Sequence, residues 1–464
     1  MPAYTNHKGL NSIWGWLKES LNSEHADFTK GSIRKAIFML AIPMILEMCM
    51  ESVFAVVDIF FVSKLGPNAA ATVGLTESFL TLVYSVAIGL SMAATALVAR
   101  RVGEKNNEGA AHAGAQAVLL SLVITLLISF IGFFFAEKVL MLMGGDAALV
   151  AMGATYTRIM LTGNVVIMLL YLLNGIFRGA GDATIAMRSL WLANICNIIL
   201  CPILIHRYGL PGAAIATTTG RSVGVCYQVY HFFKGKGILK IFLRHFIPDR
   251  VLLKSVFSIA STATLQFLIG SASWIAMARI IAGFGSDAVA GYTIAIRLLI
   301  FFIMPAWGLS NAAATLVGQN LGAKQPERAE KSVWLTAKYN AIFMLFVSVL
   351  FVTSAEFFVG LISSDPSVAK TAVMALRIVS MGYIFFGVGM VMLNAFNGAG
   401  DSKTPTWINL FWFWVFQIPF AYFLALVLHW GPTGVFVAIV VTETCITITS
   451  VILFKRGKWK LVKI

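Results

Sequence analysis

Three acids stand on the first apolar segment, where acids are costly: Glu47, Glu51 and Asp58, spaced by four and seven residues. That spacing puts them on one face of one helix. Each carboxylate at bilayer depth costs about 2.5–3.5 kcal/mol on insertion scales. A stripe of three is tolerable where it faces a watery chamber or binds cations. Acids this close hold at least one proton between them near neutrality. The stripe can therefore load and release H⁺, or hold Na⁺ through oxygen ligands. The plainer alternative is that one or two of these acids pair with a basic side chain on a neighbouring helix, Glu47 above all. An Asp58 near the outer mouth would be an ordinary interfacial acid.

Other polar residues lie at comparable depth. Asn194 and Asn197 sit on the fifth apolar segment, with Cys201 one turn beyond Asn197. They serve equally as ligands or as interhelical hydrogen-bond partners. Glu77, Arg221, Arg297 and Glu443 interrupt apolar runs, and salt bridges or helix ends explain them as readily as cargo contact. Asp58, Glu51, Asn197 and Cys201 are the candidate cation-coupling residues. Glu47, Glu77, Asn174, Asn194, Gln266 and Arg297 are the candidate cavity lining. The many methionines and aromatics suit an adaptable greasy cavity, although such residues more often face lipid or core.

Enzyme chemistry finds no foothold. The seven histidines are unclustered, and neither His-Glu-x-x-His nor Gly-x-Ser-x-Gly occurs. The two Gly-Ala-Gly-Asp runs lack the Lys and the strand–helix context of a phosphate cradle; they read as glycine turns whose Asp caps the next helix. The five cysteines (Cys49, Cys196, Cys201, Cys226, Cys445) lie inside apolar segments without metal-ligand spacing. No cofactor and no structural metal is expected, beyond a coupling ion, H⁺ or Na⁺, the latter at Asp58.

The elements that must position these residues follow from composition. Hydrophobic residues make up 59% of the 464, charged residues only 12%, and the mean hydropathy is +0.84. A soluble domain carries about a quarter charged residues. Apolar runs between breaks predict twelve transmembrane helices near 35–62, 68–99, 113–136, 149–177, 184–206, 210–233, 252–283, 288–317, 332–357, 368–396, 403–428 and 432–454. The run Ile13 to Leu21 has no signal-peptide pattern and reads as an ordered lead-in to the first helix, or as a surface segment. The net charge of +15 sits in alternate gaps, not in a nucleic-acid patch. The N-terminal tail, the even gaps, the middle linker and the C-terminal tail are rich in Lys and Arg, which places both termini in the cytoplasm.

The halves repeat with a constant shift of 219. It pairs Lys35 with Lys254, Gly66 with Gly285, Gly103 with Gly322, Glu108 with Glu327 and Arg158 with Arg377, along with Gly89-Leu90-Ser91 and Gly308-Leu309-Ser310 and the two Gly-Ala-Gly-Asp turns at 179 and 398. Six helices per half is an even number, so the halves face the same way about a pseudo-two-fold axis along the membrane normal. The expected organisation is a cytoplasmic segment at 1–34, an N-lobe at 35–233, a basic linker at 234–251, a C-lobe at 252–454 and a basic tail at 455–464. The lobes are chemically unequal, since Gln266 stands where the repeat has Glu47.

The ensemble resembles the multidrug and toxic compound extrusion (MATE) transporters. The residues that carry the resemblance are Ala41-Ile42-Pro43, Val57-Asp58-Ile59-Phe60-Phe61-Val62 with Leu65-Gly66, Gly103 and Gly322, the turns at 178–182 and 397–401, Asn197-Ile198-Ile199-Leu200-Cys201-Pro202 and Pro305-Ala306-Trp307-Gly308. It covers residues 29–456. The resemblance implies a monomeric all-α membrane protein of twelve helices in two lobes that exports lipophilic organic cations in exchange for Na⁺ or H⁺. It implies a multi-pass protein of the plasma membrane, the inner membrane of a bacterium. It also implies that Asp58 binds the coupling ion with Asn197. Cys201 stands where that branch often has Asp, which weakens a two-aspartate Na⁺ site, and Glu51 stands where it has an uncharged polar residue. The acids of the seventh and tenth helices that mark another branch are missing, with Gly270 and Phe386 in their places. Coupling is therefore expected in the N-lobe. The alternatives are a lipid-linked precursor flippase of the same superfamily, which would want a basic cleft, and, further off, a membrane-embedded enzyme, a receptor or a channel.

Overall fold

The computed structural model describes residues 15–21, 27–234, 239–363 and 365–464, and of Ile59 the backbone. Among the described residues there is helix and turn but no strand. Among the described residues twelve long helices run α1 (Ile33–Ser63), α2 (Pro67–Gly103), α3 (Asn107–Leu142), α4 (Ala147–Ala180), α5 (Ala183–Tyr208), α6 (Leu210–Lys234), α7 (Arg250–Ala282), α8 (Ser286–Gly322), α9 (Pro326–Gly360), α10 (Pro366–Met381 with Tyr383–Ala399), α11 (Lys403–Val427) and α12 (Pro432–Lys455). The last residues of the expected 1–34 segment include a helical turn at 15–21. It is tied to α5, where Thr184 donates to the Ser20 carbonyl at 2.9 Å and Arg188 to that of Leu21 at 2.6 Å. Of the expected linker, residues 235–238 lie outside the described residues.

Local chemistry starts the helices where the sequence says it should. Asn106 accepts from the Gly109 amide at 2.8 Å to open α3, and Asp146 from that of Leu149 at 2.8 Å to open α4. Each bond satisfies an amide that has no partner within its helix. The expected aspartate caps hold at one turn of two. Asp401 accepts from the Thr404 amide at 3.2 Å. Asp182, at φ −94° and ψ 50°, is not in the extended backbone that aims a cap at the first-turn amides.

The 219-residue repeat extends to fine geometry. Gly66 and Gly285 have φ of 100° and 102°, and Lys105 and Lys324 turn left-handed at 62° and 58°. Phe135 in α3 and Ser354 in α9, one repeat apart, are the non-helical kinks of their helices. Each kink sits beside an equivalent ion pair, Arg158 with Glu137 at 3.1 Å and Arg377 with Glu356 at 2.6 Å. α4 and α10, expected as single helices, break at Gly163 and Gly382, again one repeat apart; the α10 break bends the span by 56°. The repeat fails at α11. Pro432 lies 222 positions after Leu210, and the three extra residues are taken up by π-helical turns at Leu410–Gln417 and Phe423–Val427, the usual way to absorb an insertion within a helix.

The lobes meet at the end that carries the termini. A Cβ on Gly103 of α2 would lie 1.9 Å from the Gln319 carbonyl oxygen of α8, and one on Gly322 of α8 would lie 2.1 Å from that of Arg100 on α2. These are the same contact seen twice, because Arg100 and Gln319 are also one repeat apart. Gly308 packs on the Met44 backbone in like manner. Only hydrogen fits at such crossings, which is how membrane helices approach without a hydrophobic driving force. Phe28, Ile37, Leu40 and Met44 share a buried cluster with Leu309, Ala312 and Leu316 across this seam.

Candidate functional site

On the far side of that seam lies a cavity of about 720 Å³ between the lobes. α1 lends it Glu47, Glu51, Phe54 and Asp58; α2 lends Glu77 and Tyr84; α4 lends Tyr171 and Arg178; α6 lends Arg221. The C-lobe side presents Phe267, Arg297, Phe301, Trp307, Asn394 and Asn397.

The face shared by the three α1 acids looks into this cavity, and each acid has a different neighbourhood. Glu47 is 1% exposed. One oxygen accepts from Asn174 Nδ2 at 2.9 Å and from Arg178 Nη1 at 3.4 Å. Arg178 also donates to Ser91 Oγ at 3.0 Å. One turn on, Glu51 accepts from the Tyr171 hydroxyl at 3.0 Å, from Asn194 Nδ2 at 3.3 Å and from Arg221 Nη2 at 3.4 Å. Arg221 is buried between the rings of Phe54, Tyr84 and Tyr171, 5.5–5.9 Å from their centres, where ring faces stabilise a desolvated cation. Two of the acids thus hold an arginine each. Asp58 holds none among the described residues, and its Oδ1 is buried without a hydrogen-bond partner. Glu77 lines the same region without an ion pair among the described residues.

The other expected residues divide. Arg297 lines the cavity from α8, with no ion pair among the described residues. Asn174 and Asn194 are buried behind the wall, orienting Glu47 and Glu51; Asn174 also accepts from Ser189 and Gln228. Asn197 donates to Thr217 Oγ1 at 2.9 Å, and its Oδ1 is buried and unpartnered. Cys201 is fully buried. Neither Asn197 nor Cys201 lines the cavity, and Gln266 is buried outside it with Oε1 unpartnered.

Arg178, Tyr171 and Tyr84 were not singled out from the sequence as cavity residues. Arg178 had a signal: it opens the first Gly-Ala-Gly-Asp turn, and its repeat mate Asn397 also lines the cavity. The tyrosines had none, since nothing in their spacing distinguishes them from core aromatics. Chemically, the N-lobe wall offers fixed carboxylates and unpartnered oxygens. The facing wall offers aromatic surface and one cation. Among the described residues, no three of His, Cys, Asp and Glu come together to hold a metal ion.

Comparison with known proteins adds to this geometry. The sequence profile of the MatE family matches residues 43–203 and 263–423. A probable multidrug resistance protein NorM of Thermotoga maritima is 23% identical over 92% of this chain and 93% of its own. An FAD transporter of Shewanella oneidensis is 25% identical over 84% of this chain and 87% of its own. Among solved structures, the outward-facing conformation of a MATE multidrug resistance transporter superposes with TM-score 0.88 at 27% identity, covering 94% of this chain and 97% of the other. A Pyrococcus furiosus transporter of the MOP superfamily, described by the reversed polarity of its binding pocket, gives 0.87 at 27%, covering 93% and 97%.

Proposed function

Because the chain belongs to the MatE family of membrane transporters, we propose that it is a secondary antiporter that exports lipophilic organic cations in exchange for H⁺ through the acids of α1. The observation that carries this reading is the unpaired state of Asp58. Glu47 and Glu51 have arginines to neutralise them, whereas Asp58 offers the cavity a carboxylate with a vacant buried oxygen. A proton or an organic cation satisfies it, and not both at once. Competition for one acid produces exchange without long-range wiring, because the two ligands need only differ in affinity between the two access states.

H⁺ suits the site better than Na⁺. The unpartnered oxygens of the N-lobe residues include Asp58 Oδ1, Glu47 Oε2 and Asn197 Oδ1, and Asn197 does not line the cavity. Cys201 supplies sulfur where a second carboxylate would complete an oxygen shell. With the basic tails taken as cytoplasmic, the glycine seam closes the inner end and the cavity faces outward, ready to take the coupling ion. The lobes are read as 35–233 and 252–454, rocking about that seam.

The test is gradient-driven accumulation of ethidium in energised inside-out vesicles with Asp58→Asn, the vesicle counterpart of efflux from the cell. The expected result is loss of pH-gradient dependence; wild-type gradient-driven efflux would refute the assignment. A second reading, cargo carrying a phosphate or carboxylate, is favoured by Arg297, a cation on the cavity wall without an ion pair. Inhibition of ethidium efflux by FAD, lost in Arg297→Ala, would select it.

A further inference from the structure

Glu443 of α12 takes no part in the central cavity. It is 8% exposed, at the centre of the C-lobe, and forms no ion pair and no hydrogen bond among the described residues. It lines a small apolar-walled void of about 20 Å³, separate from the central cavity. Tyr383 lines the same void; it is 1% exposed, and its hydroxyl also has no hydrogen-bond partner. Two partnerless polar side chains on the helices around one small void are rare, and each calls for an explanation. The chamber also lies against the α10 break, since Gly382 and Tyr383 form its wall. Discontinuous helices mark ion sites in transporters, where non-helical backbone is tolerated because it borders a cavity.

The groups that face Glu443 exclude a fixed counter-charge. α7 contributes Trp274, α8 only aliphatic side chains, α10 Val379, Gly382, Tyr383 and Phe386, and α12 its own Ile439 and Val440. Tyr383 is the one other titratable group, and none carries a permanent charge. Arg297, one residue from a lining position, faces the central cavity instead. A bare carboxylate is not stable among such apolar neighbours, whereas the neutral, protonated acid is. One carboxyl group among apolar side chains falls far short of a sodium shell.

We propose that Glu443 is a second proton-binding site, in the C-lobe and independent of the α1 acids, whose proton exchanges during the transport cycle. The route is set by Ile300, which lines both the void and the central cavity. When that partition moves, cavity water reaches the acid. Glu443 passes its proton to that water, leaving a carboxylate and a hydronium ion, and recovers a proton when the chamber closes. The proposal rests on the proton-coupled antiport read above but not on Asp58.

The experiment uses the full-length protein in liposomes, with infrared difference spectra between alkaline and acidic pH and ethidium efflux driven by an imposed pH gradient. Glu443→Gln is isosteric and keeps the fold. It removes a deuterium-sensitive protonated-carboxyl band that Asp58→Asn retains, and it lowers gradient-driven efflux about tenfold while ethidium affinity is unchanged. A Glu443→Gln protein with the band intact, or with wild-type efflux at every pH, would overturn the proposal. So would a band that responds to Na⁺ and not to pH. Wild-type gradient-driven efflux in Asp58→Asn alone would remove the α1 reading and leave this one standing.

Discussion

The two inner walls descend from one repeat and have diverged in charge. In the N-lobe, Glu47 meets Arg178, which reaches on to Ser91. One repeat later the same three positions are Gln266, Asn397 and Ser310, and Ser310 is held at 2.7 Å by Asn394. A buried ion pair has become two amides, both with unpartnered atoms. On the fifth helix, the polar Asn194, Asn197 and Cys201 of α5 have as counterpart the largely aromatic run Leu410–Gln417 of α11, where the extra residues break the one-to-one pairing. That contrast teaches that the backbone frame tolerates either chemistry. The seam glycines and the kinks at Phe135 and Ser354 are kept in both lobes, while the acids that line the central cavity are side chains laid on one of them.

The comparison breaks most visibly at the ion pair. Glu47→Gln strands Arg178 with half its partners, and removing one member of a buried pair costs about 3 kcal/mol or more. Glu47→Gln with Arg178→Asn rebuilds the amide arrangement of the other lobe. It is expected to recover most of the thermal stability of the purified protein; a double variant no better than the single would show that the walls are not interchangeable. Asp58→Asn comes next. It is expected to lower gradient-driven efflux about 100-fold, some 2.7 kcal/mol of coupling, with melting temperature unchanged.

The seam tests what the lobes share. Valine at Gly103 or at Gly322 drives a side chain into the backbone of the opposite lobe. Overpacking of this kind costs about 1–3 kcal/mol. Here it falls on the closed seam, so each substitution should raise the accessibility of a cysteine placed at the inner end of the cavity, and by similar amounts. Unequal shifts would show that the seam is not two copies of one contact.

Most of this frame was legible beforehand. The twelve spans agree with observed helices to within a few residues, except that some helices, such as Asn107–Leu142 and Pro326–Gly360, extend further than expected, because periodic apolarity and glycine breaks are local signals. The repeat was visible as paired residues, and it also marked Gly163 and Gly382, whose breaks went unread because an isolated glycine does not distinguish a kink from close packing. Partner choice was not legible. Glu51 and Tyr171 are 120 residues apart, and Asn174, Asn194 and Asn197 turn behind the wall. Helix phase gives the face of α1 but not what packs against it. The π turns of α11 were hidden as well, since three extra residues in an aromatic run look like ordinary helix.

The smallest test concerns a pair present in one lobe only. Lys105 and Lys324 share the same left-handed turn, but among the described residues only Lys105 has an acid, Asp27, at 2.9 Å. Asp27 also accepts from the Thr29 amide at 3.0 Å and from the Thr29 hydroxyl. Partial burial raises its carboxyl, and these hydrogen bonds together with Lys105 outweigh that and bring it down to about 2. A carboxyl lower in the folded protein than in the unfolded chain adds stability above the unfolded value, near 4. That contribution disappears as pH falls from there through about 2. Because the pair is largely exposed, it is screened by solvent and worth less than about 1 kcal/mol. Asp27→Asn should therefore lower the melting temperature slightly at pH 7, by an amount that shrinks towards pH 2 and in high salt. An acid introduced beside Lys324 should bring the mirror-image gain. A melting temperature identical to wild type at pH 7 in low salt would mean that the Asp27 pair adds nothing to the hold of the N-terminal segment on the seam.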